Sequence, residues 1–178
     1  MHLMNNEQNN EKGEILRQVM RSWVTGVAVL TTVCGEDRGG ITVNSFTSLS
    51  LDPPLVLINV AKDNPLHDMF SQCRVFGLSL LGEAQEEISN LFAGFGKRVE
   101  EKFAQVETFT LTTGAPLIDG SIAFLDCEVF SLLKLPRSIL IIGEVVDGRS
   151  QDNNNPLLYF NRNYAEISPP KIEKKGEY

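Results

Sequence analysis

The feature that most constrains this sequence is the stretch from Gly40 to Val60, where two apolar patterns meet at a turn. Through residues 41–51, apolar side chains alternate with Ser, Thr and Asn, which is the pattern of a strand that buries one face. Asp52-Pro53-Pro54 predicts a turn, because each proline fixes its own φ and restricts the residue before it. The nearly all-apolar run at residues 55–60 predicts a strand buried on both faces. Together they predict a hairpin with a hydroxyl-rich face.

Periodicity elsewhere predicts a strand-rich domain that carries a few helices. Apolar residues from Ile15 to Trp23 recur at spacings of three and four, so residues 11–23 predict a helix with a buried stripe. Trp23 is expected to be a core anchor in preference to the alternative, a ligand-stacking residue. Asn64 followed by Pro65 predicts a helix start. The other patterns predict a helix at 83–93 and strands at 24–33, 74–81, 121–133 and 139–146. The glycine-rich turn at 35–40 predicts an antiparallel hairpin between the strand at 24–33 and the strand that follows it. Many strands and few helices favour a mainly β fold, an antiparallel β-barrel with attached helices.

Composition and charge narrow the classes of function. The 178 residues fit one domain, and the net charge of −7 argues against a nucleic-acid-binding surface, which needs clustered Lys and Arg. No apolar run approaches the ~20 residues that cross a bilayer, and the first ten residues lack the features of a signal peptide. We therefore expect no membrane association and a cytoplasmic location. Residues 1–10 are expected to be disordered, residues 11–167 to form the domain, and residues 168–178 to be a charged tail.

The cysteine and histidine residues predict neither a disulfide framework nor a metal site. Cys34, Cys73 and Cys127 are widely spaced and form no C-x-x-C pair, and His2 and His67 are far apart. Buried, inert thiols are the expected outcome, in preference to reactive ones.

The hairpin stretch also resembles a family signature. The residues Thr42-Val43-Asn44-Ser45-Phe46-x-Ser48-x-Ser50-x-x-Pro53-Pro54-Leu55-Val56 are similar to the signature of the flavin reductase-like family. Further segments are similar to the family's strands and closing motifs in the same order: Val24–Thr32, Phe76–Leu81, Gly143–Val145 and Pro156–Tyr159. The resemblance covers residues 14–167 and implies an FMN-binding split barrel, a Greek-key-like antiparallel barrel that binds FMN or, alternatively, FAD.

Residue types and the resemblance together predict a flavin site. Hydroxyls and backbone groups at residues 42–50 could satisfy the polar edge of the isoalloxazine ring while apolar neighbours cover it. In the family, the junction after Ala61 contacts the flavin phosphate, commonly through Ser-x-Thr; here Asn64 and Leu66 replace those hydroxyls, which leaves Lys62 and a helix N-terminus for the anion. A capped surface helix with an unrelated lysine is the alternative. The predicted cofactor-binding residues are Thr42, Val43, Asn44, Ser45, Ser48, Ser50, Ala61, Lys62, Asn64, Lys102 and Phe103.

The last two residues of that set rest on a separate match. Lys102-Phe103 resembles a basic-Phe pair that lies close to the flavin in the family. A mixed-charge run such as residues 97–103 more usually marks a solvated surface.

The resemblance implies that NAD(P)H passes hydride to the flavin, which then leaves to serve a partner monooxygenase or an electron-transfer partner. Many reductases of the family carry Gly-Asp-His-Thr before the Gly-Glu-Val strand, where this chain has Pro136, Arg137, Ser138 and Ile139. The histidine near the nicotinamide is therefore replaced by Ser138, and Arg137 and Ser138 are the candidates for the nicotinamide side. Three functions stay open: an NAD(P)H-dependent flavin reductase, a flavin-binding electron carrier, and a split-barrel oxidase or binding module without flavin. By analogy with the family, the chain is expected to form a homodimer.

Overall fold

A computed structural model describes residues 2–64, 66–94, 98–151 and 155–168, with residues 2–10 as backbone only. The helices are α1 (His2–Met20), α2 (His67–Cys73), α3 (Glu86–Ala93), which follows a 3-10 turn at Glu83–Gln85, and α4 (Val99–Phe103). The strands are β1 (Thr25–Gly26), β2 (Ala28–Cys34), β3 (Asp37–Val43), β4 (Phe46–Leu51), β5 (Pro54–Ala61), β6 (Val75–Leu80), β7 (Thr108–Phe109), β8 (Leu117–Ile118), β9 (Ala123–Lys134), β10 (Ser138–Ser150), β11 (Leu158–Phe160) and β12 (Asn163–Ala165).

Seven of the strands form one antiparallel sheet in the order β3-β2-β6-β9-β10-β5-β4. Both predicted hairpins are confirmed. The β2–β3 hairpin turns at Gly35, whose φ of +62° favours glycine. The β4–β5 hairpin turns at Asp52-Pro53, as the prolines predict. The fold is therefore mainly β and antiparallel, in agreement with the sequence.

The main sheet does not close into a barrel, which corrects the barrel prediction. Its two edges are β3 and β4, and these strands do not pair with each other. They are nevertheless consecutive in the chain, joined by Asn44 and Ser45 alone. Because the step from Val43 to Phe46 spans at most about 11 Å, the sheet must curl until its edges approach. We call the gap between these two edges the seam.

Two local predictions are also wrong. The alternation at residues 41–51 predicts one strand, but Asn44 and Ser45 interrupt it because its halves lie on opposite sheet edges. The strand at 55–60 is not buried on both faces: Val56, Ile58 and Val60 are buried, whereas Asn59 is exposed. β5 therefore presents one face to the core and the other outward.

The core has two parts. The larger lies inside the curled sheet and centres on the fully buried Leu30, Phe76 and Ile141. The smaller lies under α3 and α4, where the Phe92 and Phe103 rings meet edge to face at a centroid distance of 5.4 Å. The β2–β3 hairpin lies between the two parts and contributes to both.

The first helix departs most from its prediction. It begins at His2, so the residues expected to be disordered have helical backbone, and the predicted start at Glu11 is wrong. Its apolar stripe is present but uncovered by the rest of the described chain: the members are at least half exposed, and Trp23 is 64% exposed. The prediction of Trp23 as a core anchor is therefore wrong. The stripe consists of Ile15, Leu16, Val19, Met20 and Trp23.

The cysteines behave in two ways. Cys127 is fully buried, and burial, with a smaller contribution from Asp126, raises the pKa of its thiol to about 12, so the prediction of an inert thiol is confirmed for this residue. Cys34 and Cys73 instead form a disulfide between the end of β2 and the end of α2, with Cα atoms 5.1 Å apart. The sequence reasoning missed this pair because 39 residues separate the two cysteines and the packing of α2 on β2 brings them together.

In the part of the chain that the structure describes, no helix is long and apolar enough to span a membrane. Residues 169–178, most of the predicted charged tail, lie outside the described residues, and the domain limits at residues 11 and 167 stay predictions.

Candidate functional site

The candidate site is built around the seam loop, Asn44 and Ser45, which hydrogen bonds hold on both sides. The Asn44 amide Nδ2 donates to Thr25 Oγ1 at 3.2 Å. Ser45 and Asn59 exchange two bonds: the Ser45 hydroxyl donates to the Asn59 carbonyl at 2.7 Å, and the Asn59 N–H donates to the Ser45 carbonyl at 3.0 Å. Both seam residues remain exposed. The loop is thus fixed in place while its polar groups face solvent.

The neighbouring signature residues are divided between scaffold and surface. The Thr42 hydroxyl donates to the Ser89 carbonyl in α3 at 2.7 Å, and Val43 is 7% exposed in the larger core. Ser48 is exposed on β4 opposite Val56. Ser50 lies at the far end of β4, where its hydroxyl donates to the Pro53 carbonyl. The structure therefore places Asn44 and Ser45 at the seam and Ser50 at the turn away from it.

A second group of predicted residues meets where β5 and β10 pair. Ala61 lies opposite Ser138, and the Lys62 N–H donates to the Arg137 carbonyl at 2.9 Å. Ala61, Lys62 and Arg137 are exposed, and Ser138 is half-buried. Lys62 and Arg137 are 75 positions apart in the sequence, and the β5–β10 register brings them together. We call the group Ala61, Lys62, Arg137 and Ser138 the β5 terminus.

The predicted helix start beside the β5 terminus is shifted. α2 begins at His67 rather than directly after Asn64, and Pro65 lies outside the described residues. Asn64 instead accepts a hydrogen bond from the Leu66 N–H at 2.9 Å and so caps the turn before the helix. α2 has only seven residues, so its N-terminus is a weak source of positive charge. The side chain of Lys62 is therefore the main source of positive charge directly after β5.

Lys102 and Phe103 lie in the smaller core rather than at the seam. Lys102 is 7% exposed, and its ammonium donates to the Gly94 carbonyl at 2.8 Å. Phe103 is 4% exposed, and the Arg38 guanidinium lies 4.6 Å from its ring centroid. The run around them is thus not simply a solvated surface. A role close to the flavin stays a prediction for both residues.

Two clefts adjoin the seam loop. The wider, of about 660 Å³, runs between the end of α1, the seam loop and the β11–β12 turn. The narrower, of about 410 Å³, lies between β3, α3 and the β11–β12 hairpin. Asn44, Tyr159 and Arg162 line both, so the clefts are neighbours. The seam loop therefore lies at the edge of a concave surface large enough for a nucleotide-sized ligand.

The wider cleft is cationic and aromatic, which the sequence analysis did not anticipate. It is lined by the arginines Arg17, Arg21 and Arg162 and by the aromatic residues Trp23, Phe46 and Tyr159, among others. Two of the arginines had a visible signal, because Arg17 and Arg21 are four residues apart within the helix predicted at residues 11–23. Arg162 had none, because only the packing of the β11–β12 turn against the end of α1 brings it there.

Comparison with known proteins gives a consistent family. The flavin reductase-like domain family matches residues 20–168. An NADH-dependent flavin reductase of Pseudomonas fluorescens is 37% identical over 151 residues, which cover 83% of this chain and 86% of that protein.

Solved structures agree with the sequence match. An NADH:FAD oxidoreductase of Streptomyces globisporus has a TM-score of 0.81 at 35% identity, over 86% of this chain and 92% of that one. The flavin reductase component of a bacterial two-component tryptophan halogenase has a TM-score of 0.81 at 29% identity, over 89% of this chain and 99% of that one. The chain therefore belongs to the flavin reductase-like family of oxidoreductases.

Proposed function

We propose that the protein is a flavin reductase that transfers hydride from NADH or NADPH to FMN or FAD and releases the reduced flavin to a partner monooxygenase. The observation that carries the proposal is the family match over residues 20–168, a range that includes the open, polar seam. Two named relatives support the proposal. One is an NADH-dependent flavin reductase, which supports hydride transfer from a nicotinamide nucleotide. Another is the flavin reductase component of a two-component tryptophan halogenase, which supports delivery of reduced flavin to a partner enzyme.

The donor set at the seam fits a flavin ring. Among the described strands, β3 and β4 are each paired on one side only, so no described strand pairs with their seam-facing backbone N–H and C=O groups. The polar edge of an isoalloxazine ring alternates acceptors with an N–H, which such backbone groups can satisfy. The exposed amide of Asn44, one of whose N–H groups donates to Thr25 Oγ1, adds a second donor and an acceptor beside them. We propose Asn44 and Ser45 as the residues that hold this edge.

When bound, the flavin supplies the hydride acceptor, and the protein supplies binding and alignment. Alignment of donor and acceptor can remove much of the entropic barrier to a bimolecular step. Ser138 has no imidazole to offer where the family commonly has histidine. Hydride transfer does not require a side-chain acid at that point, so the replacement is compatible with the reaction.

The β5 terminus fits the flavin phosphate. Lys62 is exposed there, and Arg137 follows in the adjacent β9–β10 hairpin, so two cations lie on the same end of the sheet. Asn59, three residues before Lys62, is bonded to the seam residue Ser45. A ring at the seam and a phosphate at Lys62 would therefore be contiguous. A nicotinamide-side role for Arg137 and Ser138 stays an alternative for these two residues.

Replacing Lys62 with glutamine is expected to weaken FMN binding by about tenfold, since one charge-assisted contact to phosphate is lost. Binding is measured by quenching of flavin fluorescence. Riboflavin, which lacks the phosphate, should bind the variant and the parent protein equally. Lys12→Gln, an exposed change in α1, is the matched control and should leave FMN binding unchanged. Equal loss of FMN and riboflavin would contradict a phosphate contact at Lys62.

The same proposal includes a homodimer. The part of the α1 stripe that does not line the wider cleft, Ile15, Leu16 and Val19, is an uncovered apolar surface of the kind that marks a protein interface. A second copy is the occupant we expect, because the family analogy implies a dimer. Sedimentation equilibrium should then give twice the mass of the 19.8 kDa chain. A monomer at working concentration would overturn this part.

A cytoplasmic location is also part of the proposal, because NAD(P)H is an intracellular reductant. Disulfides are rare in that compartment. The working protein should therefore carry Cys34 and Cys73 as thiols held close together by the packing of α2 on β2.

A further inference from the structure

We propose that the wider cleft binds the ADP moiety of a dinucleotide, with Arg21 and Arg162 on the pyrophosphate and an aromatic ring against the adenine. This inference rests on the proposed function and adds a location for the second nucleotide. The cleft lies between the end of α1 and the β11–β12 turn, beside the seam loop.

Two arginines of the cleft lack an acidic partner among the described residues. The Nε atom of Arg21 is buried and has no hydrogen-bond partner in the part of the chain that the structure describes. Neither Arg21 nor Arg162 takes part in an ion pair with a described Asp or Glu, whereas Arg17 is held by Glu14. A buried donor without an acceptor is costly, so an acceptor is expected from a ligand. The planar fork of arginine matches phosphate oxygens in two places at once.

The backbone at Arg162 adds an independent reason. Asn161 and Arg162 have φ values of 46° and 66°, so both central residues of the β11–β12 turn are left-handed. Asn tolerates this conformation, but Arg rarely adopts it, and glycine would do so without strain. The Asn161 N–H donates to the Arg21 carbonyl at 3.2 Å, which fixes the turn beside Arg21. A strained arginine held beside a second unpaired arginine points to a role in binding.

The aromatic lining suits the other part of the ligand. Trp23 is 64% exposed and lines the cleft together with Tyr159. Exposed aromatic faces stack on nucleobases, and a purine has the largest face among them. A core anchor would be buried, whereas a ring that stacks on a base must be exposed, as Trp23 is.

The position of the cleft favours the nicotinamide dinucleotide as the source of the ADP moiety. Lys62 does not line the cleft, so the molecule offers two separate cationic positions joined by the seam loop. If the flavin phosphate lies at Lys62, the cleft is left for the second dinucleotide, whose nicotinamide must reach the ring at the seam. FAD carries the same moiety, and the experiment separates the two sources.

The test uses Arg162→Gly and Arg21→Gln, with Arg98→Gln as the control, since Arg98 is an exposed arginine that lines neither cleft. Calorimetry with ADP alone is the first readout. The two cleft variants should bind ADP about tenfold more weakly than the parent, and the control should bind it equally. Arg162→Gly should also raise the melting temperature by about 2–4 °C, because strain is relieved. Misfolding therefore cannot account for its loss of binding.

Kinetics then assign the source. A rise of about tenfold in the NADH or NADPH KM, with FMN affinity unchanged, places the nicotinamide dinucleotide in the cleft. A similar loss of FAD affinity alone, with FMN unaffected, supports the cleft and assigns it to FAD. If ADP does not bind the parent protein, or binds both cleft variants as tightly as the parent, the inference is wrong. If ADP binds as expected but the protein never oxidises NADH or NADPH, the ADP site in the cleft is supported and the reductase proposal is wrong.

Discussion

Replacing Gly143 with alanine is expected to destabilise the protein by about 3 kcal/mol, at the upper end of overpacking costs in a core. A Cβ at this position would lie 2.2 Å from Phe76 Cζ and 2.4 Å from Phe76 Cε1. Phe76 is fully buried, so its ring has no free space to enter. The backbone cannot retreat either, because Gly143 pairs with Val56 on one side and Val129 on the other. Urea denaturation measures the loss.

The same contact allows a rescue experiment. Phe76→Leu alone leaves a cavity and should cost about 1–2 kcal/mol. In the double variant the new methyl group occupies that space. The double variant should therefore lose less stability than the sum of the losses of the two single variants. Gly13→Ala is the control, since a Cβ there has no neighbour within 4 Å. Strict additivity of Gly143→Ala and Phe76→Leu would contradict the clash.

Replacing Asp126 with alanine is expected to cost about 3 kcal/mol, since it removes the acceptor of a buried network. Asp126 is fully buried in β9 and accepts the Thr113 N–H at 2.7 Å as well as the Thr113 hydroxyl. Thr113 in turn accepts the Ala115 N–H at 3.1 Å. The carboxylate thus holds the loop between β7 and β8 against the main sheet.

Asp126→Asn distinguishes the loss of the hydrogen bonds from the loss of side-chain volume. Asparagine has nearly the same size and keeps one acceptor oxygen, so it should cost less than alanine, about 1–2 kcal/mol by chemical or thermal denaturation. Equal losses for the two variants, or no loss for Asp126→Ala, would show that the Thr113 contacts do not hold the loop.

Local patterns predicted most strands and both hairpins, because alternation and turn residues act within a few positions of each other. They could not predict the break at Asn44 and Ser45. The alternation continues through these residues, and the break arises because β3 pairs with β2 while β4 pairs with β5 at the other edge. The strands with which β3 and β4 pair are set by the order of the whole sheet, which includes strands far along the chain.

The first helix shows a second limit. Its spacing correctly predicts an apolar stripe, but a period does not say what covers the stripe. Trp23 was therefore assigned to the core, although it is exposed beside a cleft. A chain that meets a second copy or a ligand has the same pattern as one that packs on itself.

The candidate site shows a third limit. The signature names Asn44 and Ser45 together, and they stay adjacent because they are neighbours in sequence, but the alternation predicted a strand where the structure has a loop. Lys62 and Arg137 meet only through the β5–β10 register, and Arg21 and Arg162 only through the contact between the α1 end and a turn. Long-range pairing, which composition and spacing do not encode, assembles these charges.

We expect NADH or NADPH to reduce a flavin bound to this chain. The most direct measurement is an anaerobic titration of the FMN-loaded protein with NADH and then NADPH, following the visible absorbance of the flavin. A flavin reductase should show rapid bleaching by at least one nucleotide, complete at one equivalent per bound flavin. If FMN binds but neither nucleotide bleaches it, hydride transfer is the wrong mechanism, and a flavin-binding electron carrier supplied by a protein donor becomes the better description.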